Sequence, residues 1–184
     1  MIIDKTSTIT KIVGIICAIA AAYLAFLTFR GFIYYRVIAL LACAALAFVC
    51  LKGIGKDKEI CVGVFGFMAV FEIVRMLLEE SFSLQSGLLL LLRILGYISV
   101  VAYLLGIIKN KIIPIIGCIL VTLFMVMNVY NLVISMRNLG AMVGTNVNLF
   151  NGNTIINIIG IVAYGVPAIA MMVLIAAGVT KFTD

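Results

Sequence analysis

The sequence contains no histidine and no tryptophan, and charged residues occupy only 11% of its 184 positions. A soluble globular domain carries about 25% charged residues, which cover its water-facing surface. Here 66% of the residues are hydrophobic instead. This composition predicts an integral membrane protein with the lipid bilayer as its main partner. It leaves no soluble surface for nucleic acid, although the formal net charge is +6.

The lack of histidine also bears on catalysis, because histidine is the usual general base near neutral pH. The sequence has no GxSxG, no HExxH and no phosphate-binding glycine loop, which are the local signatures of several hydrolase and nucleotide-binding sites. We therefore expect a protein that is not an enzyme and needs no cofactor. If ATP hydrolysis is involved in its work, another chain must supply it.

Metal-binding patterns are also missing. The five cysteines all fall within apolar runs, and none forms a CxxC pair. Without histidine they cannot complete an ordinary zinc site. We interpret them as small packing residues and expect no metal and no disulfide.

Six long apolar runs are present, each near the 20 or so residues that cross a bilayer. In lipid they must be helical, because the backbone has no water to pair with. The first run follows two lysines, as a signal peptide would, but it is long enough to span and is interpreted as a retained helix. The sequence predicts one all-α domain over 1–184, a bundle of six transmembrane helices with no soluble domain. The predicted helices are 10–29, 32–51, 60–79, 86–108, 112–135 and 155–179.

The cations divide unevenly between the two ends of such a bundle. All eight lysines fall at the end that holds both termini, and four of the five arginines fall at the other end, with Arg93 deeper in the same half. An excess of positive charge marks the cytoplasmic side. We therefore expect both termini in the cytoplasm and a multi-pass protein of the cytoplasmic membrane, in a bacterium.

The sequence also contains patterns that bear on helix packing and helix shape. Small residues recur four apart in the first two predicted helices, for example at Gly14 and Ala18 and at Ala39 and Cys43. This spacing predicts a closely packed helical hairpin or, alternatively, a docking face for another membrane subunit. Pro167 predicts a kink in the sixth helix. The segment 137–153, rich in Asn and Gly, is predicted to be a long external loop.

Two charges lie inside apolar runs, Glu72 in the third predicted helix and Arg93 in the fourth. Ionisable groups within membrane helices are costly and are candidates for function. The external turn between the two helices is predicted near Phe82–Ser83, and the two residues are equally far from its midpoint. They therefore share a depth, and we expect them to form an intramembrane ion pair.

Further polar residues fall at a similar depth in the other helices. One interpretation is structural: a buried ion pair with hydrogen bonds between helices. The second is an outward-facing pocket for a small anionic or zwitterionic solute, in which arginines hold the anionic group. The third is proton or ion conduction through Glu72. The candidate substrate-binding residues are Arg30, Glu72, Arg75, Arg93, Tyr97, Asn128, Asn131, Asn157 and Tyr164.

Three functions fit these patterns. The first is a solute-binding or transport component, the second an accessory subunit of a larger membrane complex, and the third a small channel, a homo-oligomer. In its length, its six predicted helices, its cytoplasmic termini and its alanine-rich first helix, the chain resembles the substrate-capture subunits of energy-coupling-factor vitamin transporters. The resemblance covers the chain in outline only. It implies an outward-facing solute site, assigns no residue, and departs from that family in its short first turn.

Overall fold

The structure, a computed structural model, describes residues 2–30, 34–52, 55–78, 84–143 and 152–181. It consists of six helices and one pair of two-residue strands. Five of the helices are long and apolar enough to cross a membrane, and the remaining one, α2, is shorter and equally apolar. The elements are β1 (Ile2–Ile3), α1 (Thr8–Arg30), α2 (Tyr34–Leu51), α3 (Asp57–Leu78), α4 (Leu84–Leu105), α5 (Ile112–Val143), α6 (Gly152–Ala176) and β2 (Thr180–Lys181).

The described fold is all-helical apart from one short strand pair, as the apolar runs predict. The largest difference lies in α5, which continues to Val143 through the first seven residues of the predicted loop. Arg137 and Asn138 end the apolar span at this point, but they do not end the helix, because Arg, Leu, Ala and Met in this segment all favour helical backbone. Of the rest of that predicted loop, 144–151 lies outside the described residues, and 152–153 belongs to α6.

Each helix packs against the next one along the chain, and α6 returns to contact α1 and α2. The most extensive of these contacts joins α1 to α2, as the recurring small residues suggest. A side chain at Gly14 would place its Cβ 2.8 Å from Leu51 Cγ. Ala18 is half-buried and Ala22 is exposed, so the small-residue stripe of α1 contributes to the contact mainly at its first turns.

The closest backbone approach that glycine permits lies between α4 and α5. A Cβ at Gly96 would lie 2.6 Å from the Gly117 carbonyl oxygen, and a Cβ at Gly117 would overlap Ser99 Oγ. Any larger residue here would push the two helices apart. The two glycines therefore set the spacing of the helices on one side of the polar cluster described below.

Pro167 lies inside α6, where the missing N–H leaves the carbonyl of Ala163 without its usual helical partner. The thiol of Cys43, on α2, lies 3.9 Å from that carbonyl oxygen and donates to it. Sulfur is a weak donor, but in an apolar interior even a weak partner offsets part of the cost of an unpaired carbonyl. A neighbouring helix thus accommodates the proline.

The two strands bring the two ends of the described chain together. Ile2 pairs with Lys181 and Ile3 with Thr180 in antiparallel register. Beside this pair, Lys5 Nζ lies 3.3 Å from Oδ2 of the buried Asp57, at the start of α3. β1, β2 and the beginning of α3 therefore occupy the same end of the bundle. The apolar-run analysis did not predict this strand pair, because two-residue strands carry no periodic signal.

Candidate functional site

Glu72 and Arg93 lie on neighbouring helices at similar depth. Glu72 comes six residues before the end of α3, and Arg93 comes nine residues after the start of α4. At about 1.5 Å per residue, these positions are about 9 and 13 Å from the respective helix ends. Both side chains are buried, with 0% and 3% exposure. Arg93 Nη2 lies 2.7 Å from Glu72 Oε1, as an ion pair rather than a well-aligned hydrogen bond.

The Glu72 carboxylate has two further neighbours. The hydroxyl of Tyr164, on α6, donates a hydrogen bond of 2.5 Å to the same Oε1 atom. Nη1 of Arg75, one turn further along α3, lies 3.9 Å from Oε2. One carboxylate therefore accepts interactions from three helices. Because α3 and α6 are not adjacent around the bundle, the Tyr164–Glu72 bond crosses its interior.

The Arg93 guanidinium lies among aromatic rings. Its Cζ atom is 4.4 Å from the ring centroid of Tyr164, 4.9 Å from that of Phe124 and 5.9 Å from that of Tyr97. A cation within about 6 Å of a ring centroid is attracted by the ring's negative face. Phe124 lies on α5, so Arg93 and its partners together connect α3, α4, α5 and α6.

Four buried polar atoms at this centre have no well-aligned hydrogen bond among the described residues: Oε2 of Glu72, Nε and Nη2 of Arg93, and the hydroxyl of Tyr97. The Tyr97 side chain is 1% exposed and packs against Phe65, with ring centroids 6.2 Å apart. Buried polar groups without a partner are uncommon in folded proteins, and each one calls for an explanation. The Arg93 side chain, which carries the Nε donor, also lines a cavity.

A cavity of about 300 Å³ adjoins this cluster. Arg75, which lines it, lies in the last turn of α3, at the end of the bundle opposite the paired strands. The wall combines two guanidinium groups and one amide with aromatic and aliphatic surface. Glu72 is not among the lining residues; it lies behind Arg93 and Tyr164. The described residues that line the cavity are Arg75, Arg93, Phe124, Asn128, Leu132, Ile161 and Tyr164.

The amide of Asn128 is partly committed to its own helix. Its Nδ2 atom donates to the Phe124 carbonyl oxygen, one turn earlier, at 3.0 Å. This bond fixes the side chain against α5 and positions the amide at the cavity wall. The site therefore presents a fixed amide, two arginine side chains and the ring of Tyr164 around one space.

The structure brings six of the nine sequence-predicted site residues together: Glu72, Arg75, Arg93, Tyr97, Asn128 and Tyr164. Asn131 and Asn157 are exposed instead, and neither lines the cavity. Five of the eight side chains of α5 from 131 to 138 are exposed. The side chain of Arg30 lies outside the described residues.

Sequence reasoning did not identify Phe124, Leu132 or Ile161. The first two lie four residues before and after Asn128 and share its face of α5. The i, i+4 spacing of these residues is a usable signal, but the polar stripe through Asn128 and Asn131 is centred about 30° away from it around the helix. In a membrane helix, apolar residue types are the same whether they line a cavity or face lipid, so the sequence does not distinguish the two.

Comparison of the chain with protein-family models, with curated proteins and with solved structures finds no match. The cavity and the cluster beneath it are therefore the features of this chain that bear on its function.

Proposed function

We propose that this chain is a six-span membrane protein that binds a small solute in the cavity between α3, α4, α5 and α6, as the solute-binding component of a transport system. The cavity is the observation that carries the proposal. Ligand pockets are concave, mostly apolar and furnished with a few converging polar groups. The space beside Arg93, with its two guanidinium groups and one amide on otherwise apolar walls, has this character.

The pairing of β1 with β2 supports an even number of membrane crossings. If β1 and β2 lie at one end of the bundle, the chain between them crosses the membrane an even number of times. Five long helices supply an odd number, so α2 is the sixth span in this proposal. Its 18 residues extend about 27 Å, close to the hydrocarbon thickness of about 30 Å.

The exposed lysines support the orientation. Lys52 and Lys56 lie between α2 and α3, and Lys109 and Lys111 lie between α4 and α5; all four are exposed. Both connections belong to the end that holds the paired strands. By the positive-inside rule, this end faces the cytoplasm. Arg75, which lines the cavity from the last turn of α3, then lies toward the opposite side, which suits the capture of an external solute.

Native mass spectrometry of the detergent-purified protein tests the proposal. We expect a retained small molecule that dissociates as the collision energy is raised. A stoichiometric protein partner without a small molecule would instead favour the accessory-subunit function. A homo-oligomer that passes ions in liposomes would favour a channel.

A cavity-filling variant locates the bound molecule. Leu132→Trp places a large ring into the cavity wall of α5, and we expect the retained molecule to be lost while the protein remains folded. Leu123→Trp is the matched control, because Leu123 lies on the same helix and is 54% exposed. Equal retention by both variants would mean that the molecule binds elsewhere.

A further inference from the structure

The two arginines at the cavity wall are already engaged by the protein itself. Arg93 Nη2 lies 2.7 Å from Glu72 Oε1, and Arg93 Nε is fully buried. The rings of Tyr164 and Phe124 cover the same guanidinium, with centroids 4.4 and 4.9 Å from its Cζ atom. Arg75 has a further interaction besides its ion pair with Glu72. The cavity is therefore lined by positive charge, but neither guanidinium is an open anion site.

Asn128 carries a hydrogen-bond acceptor that the protein leaves open. Its Nδ2 atom donates to the Phe124 carbonyl oxygen at 3.0 Å. This bond fixes the orientation of the amide, because the opposite orientation would place two oxygens against each other. No described residue donates to Oδ1 of Asn128, and Oδ1 is not among the fully buried polar atoms. With Nδ2 held by its own helix, Oδ1 is the end of the amide left to the cavity that Asn128 lines.

The remaining walls are carbon surface. Leu132, Ile161 and Phe124 contribute apolar side chains. The hydroxyl of Tyr164 donates to Glu72 at 2.5 Å, so Tyr164 contributes mainly its ring. Such walls favour an apolar body, because burial of apolar surface is a main source of affinity in ligand pockets.

On these grounds we propose that the occupant is a small neutral molecule with an apolar body and one N–H or O–H group, which donates a hydrogen bond to Asn128 Oδ1. This inference rests on the proposed solute-binding function and names its ligand class. A cation would meet the like charges of Arg75 and Arg93 at the wall, where the dielectric is low and repulsion is strong. An anion would lose its hydration without an open guanidinium to replace it. A neutral donor avoids both costs and satisfies the open acceptor.

The cavity also limits the size of the molecule. A volume of about 300 Å³ is at the lower limit of known ligand pockets, which run from about 300 to 1,000 Å³. One aromatic ring or a pair of fused rings suits this space. A whole phospholipid is too large to be enclosed, so the occupant is a solute rather than a bulk lipid of the membrane.

Calorimetric titration of the full chain in nanodiscs of phosphatidylcholine tests the ligand class, with empty nanodiscs as the blank for partitioning into lipid. The probes are indole, benzofuran, benzoate and benzamidinium, which have the same number of non-hydrogen atoms. Indole is neutral and has an N–H donor, benzofuran has an oxygen in place of that N–H, and the other two carry a negative and a positive charge. We expect indole to bind about fivefold more tightly than benzofuran, as one hydrogen bond allows, and the charged probes to bind more weakly than either.

An asparagine variant tests the contact. Asn128→Leu removes the acceptor, so the preference for indole over benzofuran should disappear while benzofuran still binds. A residue with only a structural role would change the two affinities together. Asn131→Leu is the matched control, since Asn131 is exposed on the same helix and is not among the cavity-lining residues; the preference should be unchanged. Thermal unfolding of each variant verifies that the fold is retained.

Each contrary outcome has its own meaning. Equal binding of indole and benzofuran, lost in Leu132→Trp, overturns the hydrogen bond to Asn128 and leaves solute binding in place. Tightest binding of benzoate overturns the neutral class in the same way. A copurified lipid that blocks indole overturns a solute as the occupant. If no probe binds but native mass spectra show a retained molecule, only the ligand class fails; if neither is seen, the proposed function fails with it.

Discussion

Arg93 holds a permanent positive charge in the interior of the bundle, where one carboxylate and three aromatic rings surround it. The pair has no net charge, because Glu72 Oε1 lies 2.7 Å from Arg93 Nη2 and the two groups carry opposite charges. Buried ion pairs gain little over a well-packed apolar pair, but the loss of one partner is costly. The stability of the protein should therefore depend on keeping both charges or neither.

We predict that Glu72→Leu lowers the free energy of unfolding by about 3–5 kcal/mol, because Arg93 is left buried without its anion. The double variant Glu72→Leu with Arg93→Leu should recover most of this loss. Thermal or denaturant unfolding in one detergent measures the effect. Glu59→Leu, at an exposed position in the first turn of α3, is the matched control and should change stability by less than about 1 kcal/mol. A double variant no more stable than the single ones would contradict the coupling.

The sequence predicted that Glu72 and Arg93 share a depth, since residues equidistant from a hairpin turn do so in any antiparallel pair of helices. It could not predict which third group would join them. Tyr164 comes from α6, and its hydroxyl reaches Glu72 across the bundle. That contact depends on the rotation of α6 and on the path by which it returns to the bundle, and neither has a local sequence signature.

Helix α5 shows how an apolar helix can mislead a prediction of boundaries. Apolar composition follows the thickness of the membrane, whereas helical backbone follows local conformational preference. The two coincide in α1, which runs from Thr8 to Arg30 against a predicted 10–29. They separate in α5, which continues to Val143 after its apolar span has ended. The asparagines of this region are then helical and exposed, and the pocket interpretation of Asn131 does not match its position.

At the crossing of α4 and α5, the helices lie close together at Gly96 and Gly117. A second prediction tests this close packing. Gly117→Ala should destabilise the protein by about 1–3 kcal/mol, since its new methyl group would overlap Ser99 and force the helices apart. Gly63→Ala is the control, because no atom lies within 4 Å of a Cβ built there and alanine favours the helix. Unfolding measurements on both variants test the fit. Equal effects would mean that the crossing tolerates a wider spacing.

A third prediction concerns Pro167 in α6. The Cys43 thiol donates to the carbonyl of Ala163, which Pro167 leaves without a helical partner. Cys43→Ala should therefore lower the free energy of unfolding more in the native chain than in a Pro167→Ala background. In that background the N–H of residue 167 can bond to the same carbonyl. We expect a coupling energy of about 0.5–1 kcal/mol from this double-mutant cycle. The free energies of unfolding of the four proteins give the value. Simple additivity would show that the thiol and the proline act independently.

For the molecule as a whole, the proposed orientation can be measured from the two ends of one helix. Lys109→Cys lies just before α5, and Arg137→Cys lies near its far end; both positions are exposed. In intact cells, a membrane-impermeant thiol reagent should label Arg137→Cys and leave Lys109→Cys unlabelled until the membrane is opened. The five native cysteines are buried, so the unmodified chain provides the low background that the comparison needs. The reverse pattern would invert the topology.

The ion pair also has a consequence for biosynthesis. An arginine at the centre of a helix adds about 2.5–3.5 kcal/mol to the apparent free energy of insertion by the translocon. In α4, five consecutive leucines from Leu88 precede Arg93 and offset part of this penalty. Because α3 emerges first and carries Glu72, we expect α4 to enter the lipid more efficiently as the second half of a hairpin than by itself. Glycosylation mapping of 84–105 alone and of 57–105 would measure the difference, and Glu72→Leu should abolish it.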